Sequence, residues 1–135
     1  MVKLILGHKG AGKTKKLIDL VNAAVEKSNG NVVCIEKGVG LRFDIKPTVR
    51  LINTNEYLVF DAQALYGFVA GILASNHDVT DLFIDGALKI ANNDVAGLEA
   101  FVKAVDELTA KLDVNVVMTS SIPVEDASDL VKKYI

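Results

Sequence analysis

Five short apolar runs, separated by helical stretches, constrain this chain more than any other feature. They cover residues 2–6, 31–36, 48–53, 80–85 and 114–119, and read Val-Lys-Leu-Ile-Leu, Asn-Val-Val-Cys-Ile-Glu, Thr-Val-Arg-Leu-Ile-Asn, Thr-Asp-Leu-Phe-Ile-Asp and Val-Asn-Val-Val-Met-Thr. Most are near-continuous and β-branched, as strands are when both faces of a sheet are covered. Between them the apolar residues recur at helical spacing, which predicts helices at 13–28, 61–75, 93–112 and about 124–133. Leu17, Ile18, Val21, Ala24 and Val25 mark the buried stripe of the first, which should stop at Ser28-Asn29-Gly30. Asp61 and Asn93 are suitable N-caps, and Pro123 suits the first turn of the last helix. Val95, Leu98, Phe101, Val102, Val105, Leu108 and Leu112 form the expected inner face of the third. With no repeat, low-complexity tract or linker, residues 1–135 should form one domain, a three-layer α/β/α sandwich around a mainly parallel five-stranded sheet.

Composition narrows the setting. Half of the residues are hydrophobic and the mean hydropathy is +0.32, which suits a fully covered sheet or an additional buried interface. The stretch Ala62 to Ala74 is apolar on nearly every side, with Gly67 and Gly71 four apart. It leaves two readings open: burial within the domain, or a subunit interface. No apolar run approaches the roughly 20 residues of a membrane span, and the N-terminal run is too short for a secretory signal. A net charge of −2 gives no electrostatic case for nucleic acid. Cys34 is the single cysteine and sits in an apolar run, so a buried, inert thiol is expected, with neither disulfide nor four-cysteine zinc site. Together these features describe a cytoplasmic protein with no membrane segment.

The chemistry begins where the first strand ends. Gly7-His8-Lys9-Gly10-Ala11-Gly12-Lys13-Thr14 has the spacing G-x-x-x-x-G-K-[ST], lying between an apolar strand and a helix. Glycines let such a loop curl so that successive N–H groups point inward and form an anion nest. Lys13 supplies a charge for β- and γ-phosphates, Thr14 a hydroxyl ligand for Mg²⁺, and the following helix its positive dipole end. His8 is expected to point outward, and His77 reads as a connector residue.

Turnover requires a carboxylate on the magnesium side and a group to handle the attacking water. The fourth strand ends Leu82-Phe83-Ile84-Asp85-Gly86, which places one carboxylate at the carboxyl edge of the sheet. Phe60-Asp61 has a similar form, but Asp61 is better explained as a helix cap. Glu36, ending the second strand, should face the same crevice and is the candidate water-activating base; a surface glutamate paired with Lys37 is the other reading. Arg42 and Arg50 are the only arginines. Arg42 lies in what reads as a flexible loop, where it can be solvated or meet a phosphate in cis or on a neighbouring subunit; Arg50, within a strand, reads as structural.

On these residues the chain resembles the RecA-like branch of P-loop ATPases, with an order of elements that matches from Met1 to Thr119, most of the chain. It also resembles small bacterial ATP-binding proteins labelled as twitching-motility-ATPase-like, though the additional domains of true motility ATPases are absent. In RecA and its relatives the catalytic glutamate ends the strand after the phosphate-loop helix, as Glu36 does, and a small residue follows the Walker B aspartate, as Gly86 follows Asp85. Thr119-Ser120-Ser121 matches the polar sensor between the phosphate-loop and Walker B strands. The resemblance implies the P-loop NTPase fold with strand order 3-2-4-5-1. It also makes strand 1 an apolar edge, to be covered by a partner, a dimer or the last helix. The later strands and DNA-binding loops of recombinases are missing.

The expected function is therefore ATP binding with slow Mg²⁺-dependent hydrolysis, carried by Lys13, Glu36 and Asp85, with Thr14 and Asp85 on the metal. The alternatives are a nucleotide-binding switch, or an assembly subunit working through the edge strand or the 62–74 helix, without significant turnover. A small-molecule kinase is less favoured, because two arginines are few for that design. No Asn-Lys-x-Asp motif supports GTP, and a thymidine-kinase-like reading lacks its zinc cysteines.

Overall fold

The structure is a computed structural model that describes residues 1–135. Its sheet contains β1 (Val2–Leu6), β2 (Asn31–Glu36), β3 (Arg50–Asn53), β4 (Val79–Asp85) and β5 (Asn115–Ser120). All pairings are parallel and the order is β1-β5-β4-β2-β3. Counted from the β3 edge this is 3-2-4-5-1, the same set of neighbours that the resemblance implies. The helices are α1 (Lys13–Lys27), α2 (Ala62–Ser75), α3 (Ala87–Ile90), α4 (Val95–Leu112) and α5 (Asp129–Lys132). No helix is long and apolar enough to cross a membrane.

The alternation of side chains along each strand divides the core in two. Val33, Ile35, Leu82, Ile84, Val116 and Met118 point to α2 and α4, forming the larger cluster with Leu65, Val69, Phe101, Val102 and Val105. Val32, Cys34 and Phe83 point the other way, against Leu17 and Val21 of α1. The layers are therefore unequal: one helix covers one face and two long helices the other. Cys34 is fully buried, and burial, ahead of the charges of Asp85 and Glu36, pushes its thiol far above the ordinary range.

Several local expectations change. Thr48 and Val49 belong to a turn closed by Val49 N–H to Lys46 O, so β3 starts at Arg50. The cap of α4 is Asp94, whose carboxylate accepts from Gly97 N, while Asn93 takes a left-handed conformation one residue earlier. Val95 and Leu112, at the two ends of α4, are 46% and 44% exposed, so the inner face of this helix is confined to its middle turns. The helix expected over 124–133 is broken. Val124–Asp126 form a 3₁₀ turn, Ala127 and Ser128 are extended, and only 129–132 are helical. Pro123 precedes that turn and does not start a long helix. Across the break, Ala127, Val131 and Tyr134 all reach the core.

This tail also covers the β1 edge in part, where Leu4 N–H donates to the Tyr134 carbonyl at 2.7 Å. Tyr134 is anchored in turn by its hydroxyl on Asp106 Oδ2 at 2.8 Å. Burial, then the Asp106 carboxylate, pushes that phenol up to about 12. On α2, Ala62, Leu65, Val69 and Leu73 are buried, but Gly67 and Gly71 are exposed with open space around them. The close helix approach occurs elsewhere: a Cβ on Gly97 of α4 would lie 3.2 Å from Ala62 Cβ.

Candidate functional site

Gly7 to Thr14 joins β1 to α1 at the carboxyl edge of the sheet. Gly12 is the residue before the helix, with φ 84°, a left-handed backbone that side chains disfavour. Gly10, at φ 87°, makes the same demand two residues earlier. The curled loop leaves the N–H groups of Gly10, Gly12, Lys13, Thr14 and Lys15 without any protein acceptor; the first helical hydrogen bond is Lys16 N–H to Gly12 O. Four of these five belong to the amino end of a 15-residue helix, where the peptide dipoles sum to a positive partial charge.

The side chains there reinforce that charge. The first turn of α1 holds no acidic residue and carries Lys13, Lys15 and Lys16. Lysines are disfavoured at a helix amino end by roughly 0.3–1 kcal/mol each at low ionic strength, unless an anion reverses the field. An open cavity of about 610 Å³ lies over the loop, lined by Lys9, Lys13, Lys15 and Lys89, with Asp85 its only carboxylate. Lys13 folds back so that its ammonium donates to the His8 carbonyl at 2.7 Å.

Asp85 ends β4 and enters this cavity between two hydroxyls. Thr14 Oγ1 donates toward Oδ1 and Oδ2 at 3.2 and 3.3 Å, and Thr119 Oγ1 donates to Oδ1 at 2.8 Å. Thr119 also accepts from Gly86 N at 2.8 Å, so one hydroxyl fixes both the carboxylate and the turn after it. Gly86 permits that turn with φ 71°. Because β5 lies between β1 and β4, Thr119 sits between the loop-bearing strand and the strand of Asp85.

Glu36 behaves differently. It is the in-register partner of Asp85 on β2 and is 6% exposed, yet it does not line the cavity of the loop. Its Oε2 accepts the Leu41 N–H at 3.0 Å. Burial raises its pKa, against the opposing backbone bonds of Leu41 and Gly40; the Asp85 charge adds to the rise and Lys89 offsets part of it. The segment expected to be a flexible loop is thus tied down, with Leu41 buried against α1 and its backbone held by this carboxylate.

Of the sequence-derived residues, the structure brings Lys9, Gly10, Gly12, Lys13, Thr14 and Asp85 into one cavity. Gly7, His8 and Ala11 shape the loop without lining it: Gly7 N–H donates to Ile122 O and Ala11 N–H to His8 O. The His8 imidazole is exposed and lies 3.9 Å from Glu125. Asp61 caps α2 through Ala64 N at 2.7 Å. Sequence reasoning missed Lys89 and Asn93, which reach the cavity from α3 and the turn after it. Four helical residues give no periodic signal, so only the glycine after Asp85 announces that turn.

The donor set suits Mg²⁺ of one kind. No cluster of three or more His, Cys, Asp or Glu exists to cage an ion. One carboxylate and one hydroxyl beside an anion nest fit a Mg²⁺ that keeps waters and takes its remaining oxygens from phosphates. No family model matches the chain, and no curated protein matches it in sequence.

Proposed function

We propose that this chain is a P-loop nucleotide-binding protein of the RecA-like kind, which binds ATP with Mg²⁺ and hydrolyses it slowly. The observation that carries the reading is the run of unpartnered N–H groups from Gly12 to Lys15 at a lysine-rich helix amino end, opposite Asp85. In this reading the amides and Lys13 hold the phosphates, and Thr14 and Asp85 hold the metal. Thr119 keeps Asp85 in place. Mg²⁺, when bound, supplies charge neutralisation on the phosphate oxygens. The sheet order supports the RecA-like assignment, since it sets Thr119 between the loop and Asp85.

A second reading, a nucleotide switch with negligible turnover, draws on Glu36. A raised carboxyl pKa suits a general base, but this carboxylate is engaged with the backbone of the 38–42 loop. Calorimetry with Mg²⁺ and ATP, ADP, GTP and GDP tests the shared premise. Saturable heat for the triphosphates is expected, and none at millimolar ligand ends both readings. Turnover in Glu36→Gln then separates them: preserved binding with lost turnover makes Glu36 the base, and equal low turnover in both proteins makes the chain a switch.

A further inference from the structure

The chain's two arginines come from different segments and meet at one place. Arg42 follows the turn after β2, Arg50 opens β3, and both line a cavity of about 220 Å³ that is separate from the cavity of the glycine-rich loop. That volume corresponds to about seven waters at roughly 30 Å³ each, enough for one small organic ion. Glu36, Asn53, Glu56 and Tyr57 line it as well.

The walls are fixed by hydrogen bonds that tie the two arginine-bearing segments together. Glu36 holds the Leu41 N–H beside Arg42. Asn53 Oδ1 accepts Gly38 N at 2.9 Å and Asn55 N at 3.0 Å, joining the turn after β2 to the end of β3. The Arg42 guanidinium carbon lies over the Phe43 ring, 4.8 Å from its centroid, and the side chain donates no hydrogen bond within the protein. Neither arginine forms an ion pair, although Glu36 and Glu56 share the cavity. Two guanidiniums, whose planar forks match oxyanion geometry, therefore line one cavity with no ion-pair partner inside it. Arg50, expected from the sequence to be structural, makes no side-chain hydrogen bond, and its side chain is exposed.

We infer that this cavity is a second binding site, for the phosphate or carboxylate group of a small molecule, held by Arg42 and Arg50. It does not rest on the nucleotide reading, because Lys13 and Asp85 take no part in it. The Tyr57 ring, half exposed and packed on Phe68 at 5.5 Å between centroids, gives the carbon body of such a ligand an apolar wall.

Because the chain has two arginines, the guanidinium Nε–Hε signals in a ¹⁵N spectrum report on this cavity alone, and Arg42→Lys assigns them. Inorganic phosphate is titrated in one arm and succinate in the other, below neutral pH where these signals persist. Both resonances should move along one saturating curve in at least one arm, which then names the oxyanion class. The response should survive Lys13→Ala, and Arg50→Gln should weaken it about tenfold or more. Linear drift in both arms, different midpoints for the two signals, loss of response in Lys13→Ala, or unchanged affinity in Arg50→Gln would each overturn the site. A failed ATP titration leaves this test intact, so the two proposals fall separately.

Discussion

Asp85 and Glu36 end adjacent strands, lie in register, and project to the same face of the sheet. Their surroundings nevertheless set them to different work. Asp85 is partly exposed and is gripped by hydroxyls, which leave oxygen lone pairs facing the lysine-lined cavity. Glu36 is buried and accepts backbone N–H groups of the segment that follows it. The difference lies in the next few residues. After Asp85, Gly86 turns the chain away into α3. After Glu36, Gly38 and Gly40 bring the chain back over the carboxylate, where Leu41 is drawn into the core against α1. The partners of a carboxylate at a strand end are thus set by the loop behind it as much as by the strand that carries it.

Breaking the Asp85 side should have the largest effect. Asp85→Ala should reduce ATP turnover by about 100-fold or more, with metal-free nucleotide binding little changed. Phosphate release under saturating ATP measures the loss, and near-normal turnover would detach Asp85 from the chemistry. Lys13→Ala comes next, lowering triphosphate affinity by about 10- to 100-fold in calorimetry, since it removes a charge-assisted contact to phosphate. Unchanged affinity would contradict the phosphate-loop assignment.

Thr119→Val sharpens the comparison from the side of the fold. It strips one hydroxyl from Asp85 and leaves Gly86 N–H without its acceptor, at a cost of about 1–3 kcal/mol in denaturant unfolding. If stability is unaltered, the Thr119 bridge does not hold the turn.

The smallest effect belongs to Glu36→Gln, and it is visible as pH dependence. Glu36 has its folded pKa raised above the unfolded value, chiefly by burial, so the native state binds more protons than the unfolded chain between those two values. Its contribution is fully present below the unfolded pKa and is lost as pH rises through the folded one. Glutamine keeps an acceptor for Leu41 N–H without the charge. The melting temperature of Glu36→Gln should therefore gain on the wild type as pH is raised from acid toward neutral. A gain confined to acid pH would reverse the assigned shift.

The elements with long periods were legible in the chain. β1, β2 and α1 fall within a residue of expectation because their apolar residues face one continuous core. The loop was legible for a related reason: its glycines, Lys13 and Thr14 form one pattern within eight consecutive residues. Asp94 was passed over for Asn93, since adjacent Asn and Asp are equally good caps until the backbone chooses between them. The break at Ala127 was hidden because Ala127, Val131 and Tyr134 keep the spacing of one helical face, so the apolar pattern reads as helix even where the chain is extended.

Local spacing thus determined the parallel sheet, the glycine-rich turn and the candidacy of Asp85. Only tertiary structure decided that Glu36 accepts from the backbone of the loop after it, that Lys89 joins the cavity over the glycine-rich loop, and that Arg42 and Arg50 share a cleft. Those outcomes depend on contacts between segments far apart in the chain, such as Thr119 with Asp85 or Asn53 with Gly38. A residue's type states what bonds it can make; the competition among nearby partners in the folded state selects which bonds form.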